Sequence, residues 1–538
     1  MTIYIFSVLI IFVLGYIFYG KFLEKSLQIK FDEEVPSKKF YDGVDFVPTN
    51  KFVLLGHHFS SIAGAGPIVG PILAGLSFGW LAALLWIVLG TIFIGAVHDF
   101  SSVVVSIRHK GWSVAQVANK YINKTTYKIF LLFIWLALVY VVAVFADLAS
   151  ETFQSEPSVA QISIFYILIA ILFGILLYKI KVSLVLSTIF CLVSIIIGIF
   201  FNINNNFLFF DKTVWIWILL IYSFLASILP VWFLLQPRDY LSSYFLYFTL
   251  IIGLVGLIFG KNKIIYPYFI SFNSKSLGPI IPFMFITIAC GAISGFHSLV
   301  SSGTTSKQID NIKNARFVSY GGMILEGIVA AVALSTVMIL SKNSQISSPQ
   351  RIYALGISKF ASLIGIKQKV GEIVGYLAIS AFILTTLDTA TRIARYVFQE
   401  IIERVESSII TRIIATLISL ILPVIFLNFK LQDLNGNIVA CWKIIWPLFG
   451  ITNQLLAGLV FLVIYVWVRK QNYKNSIIIF LPMIFMLTMT LLALGYTLYV
   501  KIINLGKIDV ITVSSSVLFL LSLFVIFESV KTFSKEKI

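Results

Sequence analysis

The chain has 538 residues, of which 59% are hydrophobic and 12% charged, and its mean hydropathy is +0.99. Soluble domains carry about twice that charged fraction, so a soluble globular fold is excluded. The net charge of +17 reads as lysine-rich cytoplasmic loops facing anionic lipid, not as a nucleic-acid footprint.

Apolar runs of roughly 18 or more residues recur from end to end, each long enough to cross a bilayer as a helix. The expected class is an all-α polytopic membrane protein with about 15 transmembrane helices. Their centres fall near 12, 63, 92, 138, 170, 192, 224, 251, 291, 330, 381, 419, 453, 488 and 521. A β-barrel would show shorter strands of alternating polarity. The first run, 3–20, has no basic leader and no small-residue cleavage site, so it reads as a retained helix. Cys191, Cys290 and Cys441 make no metal-type pair, and neither a disulfide framework nor a zinc site is expected.

The loop 21–51 follows, then KFVLLGHHFSSIAGAGPIVGPILA (51–74). Proline has no N–H and disfavours helix in the residue before it. In a continuous helix Pro67 would orphan the Ala63 carbonyl, and Pro71 the Pro67 carbonyl. Gly64 and Gly66 let the backbone turn and approach a ligand. Free backbone groups in hydrocarbon cost several kcal/mol each unless protein or water meets them. A discontinuous helix is therefore predicted, its first half ending near Ser61–Gly64 and its second starting near Gly66–Pro67. The new N-terminus suits a carboxylate. This makes Ser60, Ser61, Gly64, Ala65 and Gly66 candidate substrate-binding residues.

Basic residues orient the chain. Loop 107–128 holds Arg108, Lys110, Lys120, Lys124 and Lys128 and is placed inside, and loop 149–160, with Glu151 and Glu156, outside. Loops 178–182, 303–318, 391–412 and 469–474 follow as inside, which puts the N-terminus outside and the C-terminus inside. Loop 341–370, with Lys342, Arg351, Lys359, Lys367 and Lys369, is basic yet falls outside in this scheme. Within loop 107–128, SVAQ (113–116) fits a capping box with Ser113 as N-cap.

A second interruption, LPVWFLLQPRDY (229–240), comes five spans after the first. Pro230 would free the Ala226 carbonyl and Pro237 that of Phe233. Inverted five-helix repeats place their broken helices five apart. The expected core is thus an inverted five-plus-five repeat of the LeuT/APC kind, with discontinuous first (51–78) and sixth (214–238) core helices. Residues 1–50 would form an accessory helix and cytoplasmic loop, 51–400 the ten-helix core, and 401–538 accessory helices.

The span 283–305 would be the eighth core helix. Ser294, Ser298, Ser301 and Thr305 share one face, with Ser302 beside it, and Gly291 and Gly295 form a GxxxG pair. Serines in membrane helices often bond their own backbone, but four on one face point to a lined cavity. Ionisable residues inside spans are functional candidates by default: His57, His58, His98, Asp99, Asp147, His297, Glu326 and Asp388. His98 and Asp99, near a cytoplasmic end, also read as anchors, and Asp147 as an outer vestibule charge. Asp388 can pair with Arg392 at i+4 or Arg395 at i+7, and a structural ion pair there stands beside proton transfer as its role. Glu326 has no local cation, and histidines titrate near neutral pH. Ser294 and His297 join the substrate-binding candidates. His57, His58, Ser301, Ser302, Glu326 and Asp388 are the candidates for ion or proton coupling. The polar stretch 445–457 has no local explanation.

These segments, with GAVHDF (95–100), VYVVAVFADLAS (139–150), GGMILEGIVAA (321–331) and FILTTLDTATRIARYVFQE (382–400), resemble the carbon starvation protein A (CstA) family in order from about 50 to 460. The resemblance implies an inner-membrane secondary transporter, a symporter for peptides under carbon starvation or for pyruvate, driven by H+ or Na+ and without a cofactor. The chain is shorter than the best-known members at its C-terminal end. The implied partners are a small-molecule substrate and the bilayer, with no nucleic acid. An enzyme is not expected, since HH at 57–58 is no zinc motif and no nucleophile–base pair stands out. A nutrient sensor or a channel ranks below transport.

Overall fold

The computed structural model describes residues 1–204, 207–260, 262–341, 348–403, 408–432, 438–504, 506 and 509–535. Among these, 12 helices are long and apolar enough to cross a membrane, and 13 spans result if one bent pair counts as one. The protein is a multi-pass membrane protein. Of the 15 predicted spans, two fall short of that measure: the 17-residue helix Lys212–Ile228 and the run 280–303. Lys342 of the basic loop lies outside the described residues.

In chain order the helices are α1 (Thr2–Ser26), α2 (Lys51–Ala63), α3 (Gly66–Phe78), α4 (Trp80–Arg108), α5 (Lys124–Ser155), α6 (Pro157–Lys179), α7 (Leu184–Asn202), α8 (Lys212–Ile228) and α9 (Leu235–Phe259). After them come α10 (Ile280–Thr287), α11 (Ala289–Ala292), α12 (Gly295–Gly303), α13 (Ile312–Met338), α14 (Pro349–Ser362) and α15 (Gln368–Ile401). The last four are α16 (Ile409–Asn428), α17 (Leu448–Lys470), α18 (Ile477–Asn504) and α19 (Ile511–Thr532).

Local signals start several of them. Asn123 accepts the Thr126 N–H at 2.7 Å and caps α5, satisfying one of the orphan donors of the first turn. Ser113 does the same for a surface helix, Val114–Tyr121, by accepting from Gln116 N at 3.3 Å. The hydroxyl that completes the predicted capping box is used further afield, donating to Glu400 at 2.9 Å.

Burial sorts centre from perimeter. The most apolar windows of α1, α7, α16 and α19 are 22–28% buried, whereas those of α13, α15 and α17 are 78%, 83% and 89% buried. The first group faces lipid on most sides. The long helices α5 and α15 pack along one another at the centre, α9 packs on α2, and α3 lies against α13.

The predicted interruption at 57–71 is present. Helices α2 and α3 meet at a 41° bend. Gly64 at the break has φ +52°, a left-handed conformation that glycine adopts without penalty. A Cβ there would also come within 2.9 Å of Thr386 Oγ1. Pro67 sits in the first turn of α3, where its missing N–H costs nothing.

Two expectations are corrected. The second broken helix, 214–238, is not a single bent span. Helix α8 ends at Ile228, residues 229–234 are not α-helical, and α9 starts at Leu235, so Pro237 lies in its first turn. The Ala226 carbonyl that Pro230 was expected to free accepts from Arg392 Nη2 at 2.7 Å, and the Leu229 carbonyl accepts from the same nitrogen. The span 283–305 is not one helix carrying a continuous serine stripe. It breaks at Ile288 and again at Ile293–Ser294, giving α10, α11 and α12. Only Ser298, Ser301 and Ser302 lie on α12, while Ser294 is its extended N-cap and Thr305 starts a 3-10 turn.

Candidate functional site

The second break explains the polar stretch at 445–457. Asn453 Oδ1 on α17 accepts the Phe296 N–H (3.0 Å) and the Ser294 hydroxyl (3.1 Å), and Gln454 Nε2 donates to the Ile293 carbonyl (3.0 Å). Side chains from a distant helix thus cap the start of α12, where hydrocarbon would leave the backbone unpaired. The fit is tight, since a Cβ on Gly295 would meet the Asn453 carbonyl at 2.3 Å.

Beside the α2–α3 break lies a cavity of about 280 Å³. Ala65, Gly66, Val69 and Gly70 form one wall, Phe145 and Leu148 of α5 another, and Ser276 and Leu277 from the segment before α10 and Gln350 in the first turn of α14 reach it. Ser60 and Ser61 do not line it. Ser60 Oγ donates to the Asp239 carbonyl (3.0 Å), and Ser61 Oγ lies 3.4 Å from both Asp239 Oδ2 and Thr389 Oγ1. These serines tie α2 to α9 and α15.

They border a fully buried charge network. His57 Nδ1 is 2.6 Å from Asp239 Oδ2. Arg238 donates through Nε to Asp239 Oδ1 (2.9 Å) and through Nη2 to Asp388 Oδ1 (3.0 Å). It makes further short contacts with both carboxylates. Tyr222 accepts from Arg238 Nη1 (2.6 Å) and donates to Asp388 Oδ2 (2.9 Å). One guanidinium faces two carboxylates, so a proton on His57 brings the set to neutrality. The expected local pairing of Asp388 with Arg392 or Arg395 is corrected. Asp388 pairs across the fold with Arg238, and Arg392 turns to Asp45 (3.0 Å), with Arg395 3.8 Å from the same oxygen.

A second buried cluster lies on the other side of α2. His58 Nδ1 is 2.8 Å from Thr305 Oγ1, and its Nε2 is 3.7 Å from Asp99 Oδ2. Asp99 Oδ1 also lies 3.7 Å from His98 Nδ1 and 3.5 Å from His297 Nδ1, and His297 Nε2 is 3.5 Å from Glu326 Oε2. All five side chains are 0% exposed. The anchor reading of His98 and Asp99 does not hold, because both sit inside this cluster. The arrangement strings two carboxylates between three imidazoles at distances a small shift converts to hydrogen bonds. His297 is thereby placed among acids, apart from the lining of the outer cavity. Among the described residues no group of three or more His, Cys, Asp or Glu is placed to hold a metal ion.

Two of the α12 serines bond their own helix: Ser298 Oγ donates to the Gly295 carbonyl and Ser302 Oγ to that of Ser298, both at 2.7 Å. Ser301 Oγ, fully buried, makes no hydrogen bond among the described residues. Asp147 meets Lys212 at 2.8 Å at the outer end of its helix. At the opposite face Asp45 accepts from Tyr396 (2.5 Å) and Arg392. Burial alone would raise the Asp45 carboxyl, but Arg395, Arg392 and Lys307 outweigh it and hold it at about 2.

Sequence reasoning missed Arg238, Asp239, Tyr222, Gln308 and the capping role of Asn453. The signal for the first two was present: adjacent opposite charges in PRDY, next to a span, deserve the same scrutiny as any intramembrane charge.

A family model described as "Carbon starvation protein CstA" matches residues 1–350 and 344–493. The peptide transporter CstA of Campylobacter jejuni is 33% identical over 553 residues, covering 89% of this chain and 78% of its own length. The peptide transporter CstA of Escherichia coli K12 is 32% identical, covering 86% and 76% respectively. The pyruvate/proton symporter BtsT of the same strain is 28% identical, covering 91% and 80%. Among solved structures, a mutant manganese transporter of Eremococcus coleocola superposes with a TM-score of 0.52 at 13% identity. That match covers 91% of this chain and 98% of the other, a likeness of fold alone.

Proposed function

Because the chain belongs to the carbon starvation protein CstA family, we propose that it is a secondary active transporter that carries peptides into the cell, coupled to protons. The observation that carries this reading is the extent of the likeness to the peptide transporters, at 32–33% identity over nearly nine-tenths of the chain. The geometry supports a transport site at the α2–α3 break. There Ala65 and Gly66, at the start of α3, border the 280 Å³ cavity, and the positive end of the helix suits the substrate carboxylate, while the Ile68 and Val69 N–H groups bond the Ala65 carbonyl. Residues 51–400 form the transporting core in this reading, with α1 and the last four spans as accessories, though α17 reaches inward to cap α12.

Proton coupling is assigned to two sets of groups. His57, poised between Asp239 (2.6 Å) and Gln308 (3.4 Å), neutralises the Arg238–Asp239–Asp388 network when protonated. The His58–Asp99–His297–Glu326 chain offers proton positions across the gap between α2, α4, α12 and α13. Charges this deeply buried are costly unless balanced, so loading or losing a proton shifts the balance between conformations. A sodium ion would instead use the Ser301 and Ser302 hydroxyl oxygens, and Ser302, which donates its proton to the Ser298 carbonyl, keeps its lone pairs for a cation.

The test is uptake into proteoliposomes of a labelled dipeptide and of labelled pyruvate, under an imposed proton gradient and then a sodium gradient. Saturable accumulation of dipeptide under the proton gradient is expected. Accumulation of pyruvate alone would replace the peptide reading with that of the pyruvate/proton relative, and accumulation of neither would overturn both.

A further inference from the structure

At the face opposite the outer cavity lies another, of about 360 Å³. It is formed where the loop 40–46, the turn 110–112, the 3-10 turn Thr305–Lys307 and the end of α15 meet. Basic loops 107–128 and 303–318 both contribute, so this is the cytoplasmic face.

The charges in this cavity are unequally engaged. Asp42 Oδ1 accepts three backbone N–H groups, of Val44, Asp45 and Phe46, at 2.8–2.9 Å. Asp45 is taken by Tyr396 and Arg392, with Arg395 behind. Glu400 accepts from Ser113. Lys307 is different. Its half-buried ammonium has no hydrogen bond and no carboxylate within 4 Å among the described residues, and lies only against the rings of Tyr396 (4.4 Å) and Phe46 (5.4 Å). Arg395 also lies over the Tyr396 ring (4.3 Å), and its three guanidinium nitrogens are fully buried and donate no hydrogen bond among the described residues. Two guanidiniums against the single Asp45 carboxylate leave the back wall positive, while Lys110 and Lys307 offset Asp42 and Glu400.

We infer that this inner cavity is a carboxylate-binding site in which Lys307 holds the carboxylate of the transported solute on the cytoplasmic side. An ammonium on a flexible stem, partly withdrawn from water and with no carboxylate within 4 Å among the described residues, gains a charge-assisted bond when an anion arrives and breaks no hydrogen-bonded ion pair, though Asp45 and Glu400 act on it from farther away. The aromatic walls, Phe46 and Tyr396, flank it and suit a small organic body next to the carboxylate. The site is also wired to the buried network. Lys307 ends the turn that begins at Thr305, the partner of His58, and Gln308, next in sequence, bonds Gln236 (2.6 Å) and approaches His57 (3.4 Å). An anion drawn to Lys307 therefore pulls on the same turn that contacts both histidines. The inference rests on the transport reading for the identity of the solute, but the carboxylate chemistry stands on the cavity.

The experiment is equilibrium binding to the purified full chain of three labelled probes: alanyl-alanine, pyruvate, and alanyl-alaninamide, which lacks the carboxylate. The native protein should bind alanyl-alanine at least tenfold more tightly than the amide. Lys307→Met and Lys307→Gln should each cut that preference at least threefold, leaving amide binding unchanged and any remainder to the start of α3, and Lys307→Arg should retain most of it. Equal binding of acid and amide by the native protein would overturn the inference without any variant. A preference undiminished by Lys307→Met or Lys307→Gln would overturn it too, as would native protein that binds none of the probes. Vesicles that accumulate neither alanyl-alanine nor pyruvate would defeat the transport reading separately. A Lys307-dependent preference for the acid would still establish the site.

Discussion

Replacing Arg238 with methionine should destabilise this protein more than removing either of its partners. The guanidinium is fully buried and spans Asp239 and Asp388, with Tyr222 and the Leu384 carbonyl completing its hydrogen bonds. Its loss leaves two buried carboxylates facing each other with only His57 nearby. Breaking a buried pair from one side costs about 3–5 kcal/mol. Asp388→Asn is far milder, because Arg238 keeps Asp239 and the amide oxygen still accepts from it. The loss is one or two charge-assisted bonds weakened to neutral ones, about 1–2 kcal/mol. The double variant Arg238→Met/Asp388→Asn should recover about 2 kcal/mol relative to the sum, since it removes both the cation and one orphaned anion. Equilibrium unfolding of the purified chain in detergent, followed by intrinsic fluorescence, reads all three variants. The double variant also serves if Arg238→Met fails to accumulate. An Asp388→Asn variant as damaging as Arg238→Met, or strict additivity, would refute the charge-balance reasoning.

Asp45 carries a pH signature. Its carboxyl is held at about 2 in the folded chain against an ordinary 3.8. Its contribution is therefore fully present above pH 4 and lost as pH falls through about 2, and is worth roughly 2 kcal/mol for this nearly buried side chain. The stability gap between the native protein and Asp45→Asn should be constant from pH 7 to 5 and shrink below pH 4, and a gap that does not change with pH would count against this placement. Asn453→Leu removes the cap on α12 and leaves the Phe296 N–H and Ser294 hydroxyl without their partner. A loss of about 1–3 kcal/mol is expected, with amide exchange at Phe296 accelerating first. Unchanged exchange there would show that α12 does not depend on α17.

Hydropathy, a strictly local property, determined the membrane class and nearly every span, because a helix in lipid must satisfy its own backbone and therefore announces itself in a run of some 20 apolar residues. The break at Gly64–Gly66 was legible for the same reason: proline and glycine act on their immediate backbone. The pairing of buried charges was not legible. The sequence offered Arg392 and Arg395 one and two turns from Asp388, yet the partner is Arg238, 150 positions away. A helix interior at protein density admits whichever cation packing brings nearest, and Arg392 was already drawn to Asp45 and to the carbonyls at the end of α8. Likewise nothing near Ser294 foretold that α12 would start there, because the groups that make the break tolerable stand on α17, 159 residues on. Local chemistry determined where the chain could break. Tertiary packing decided which side chains met the broken backbone, and which of the buried charges and histidines became neighbours.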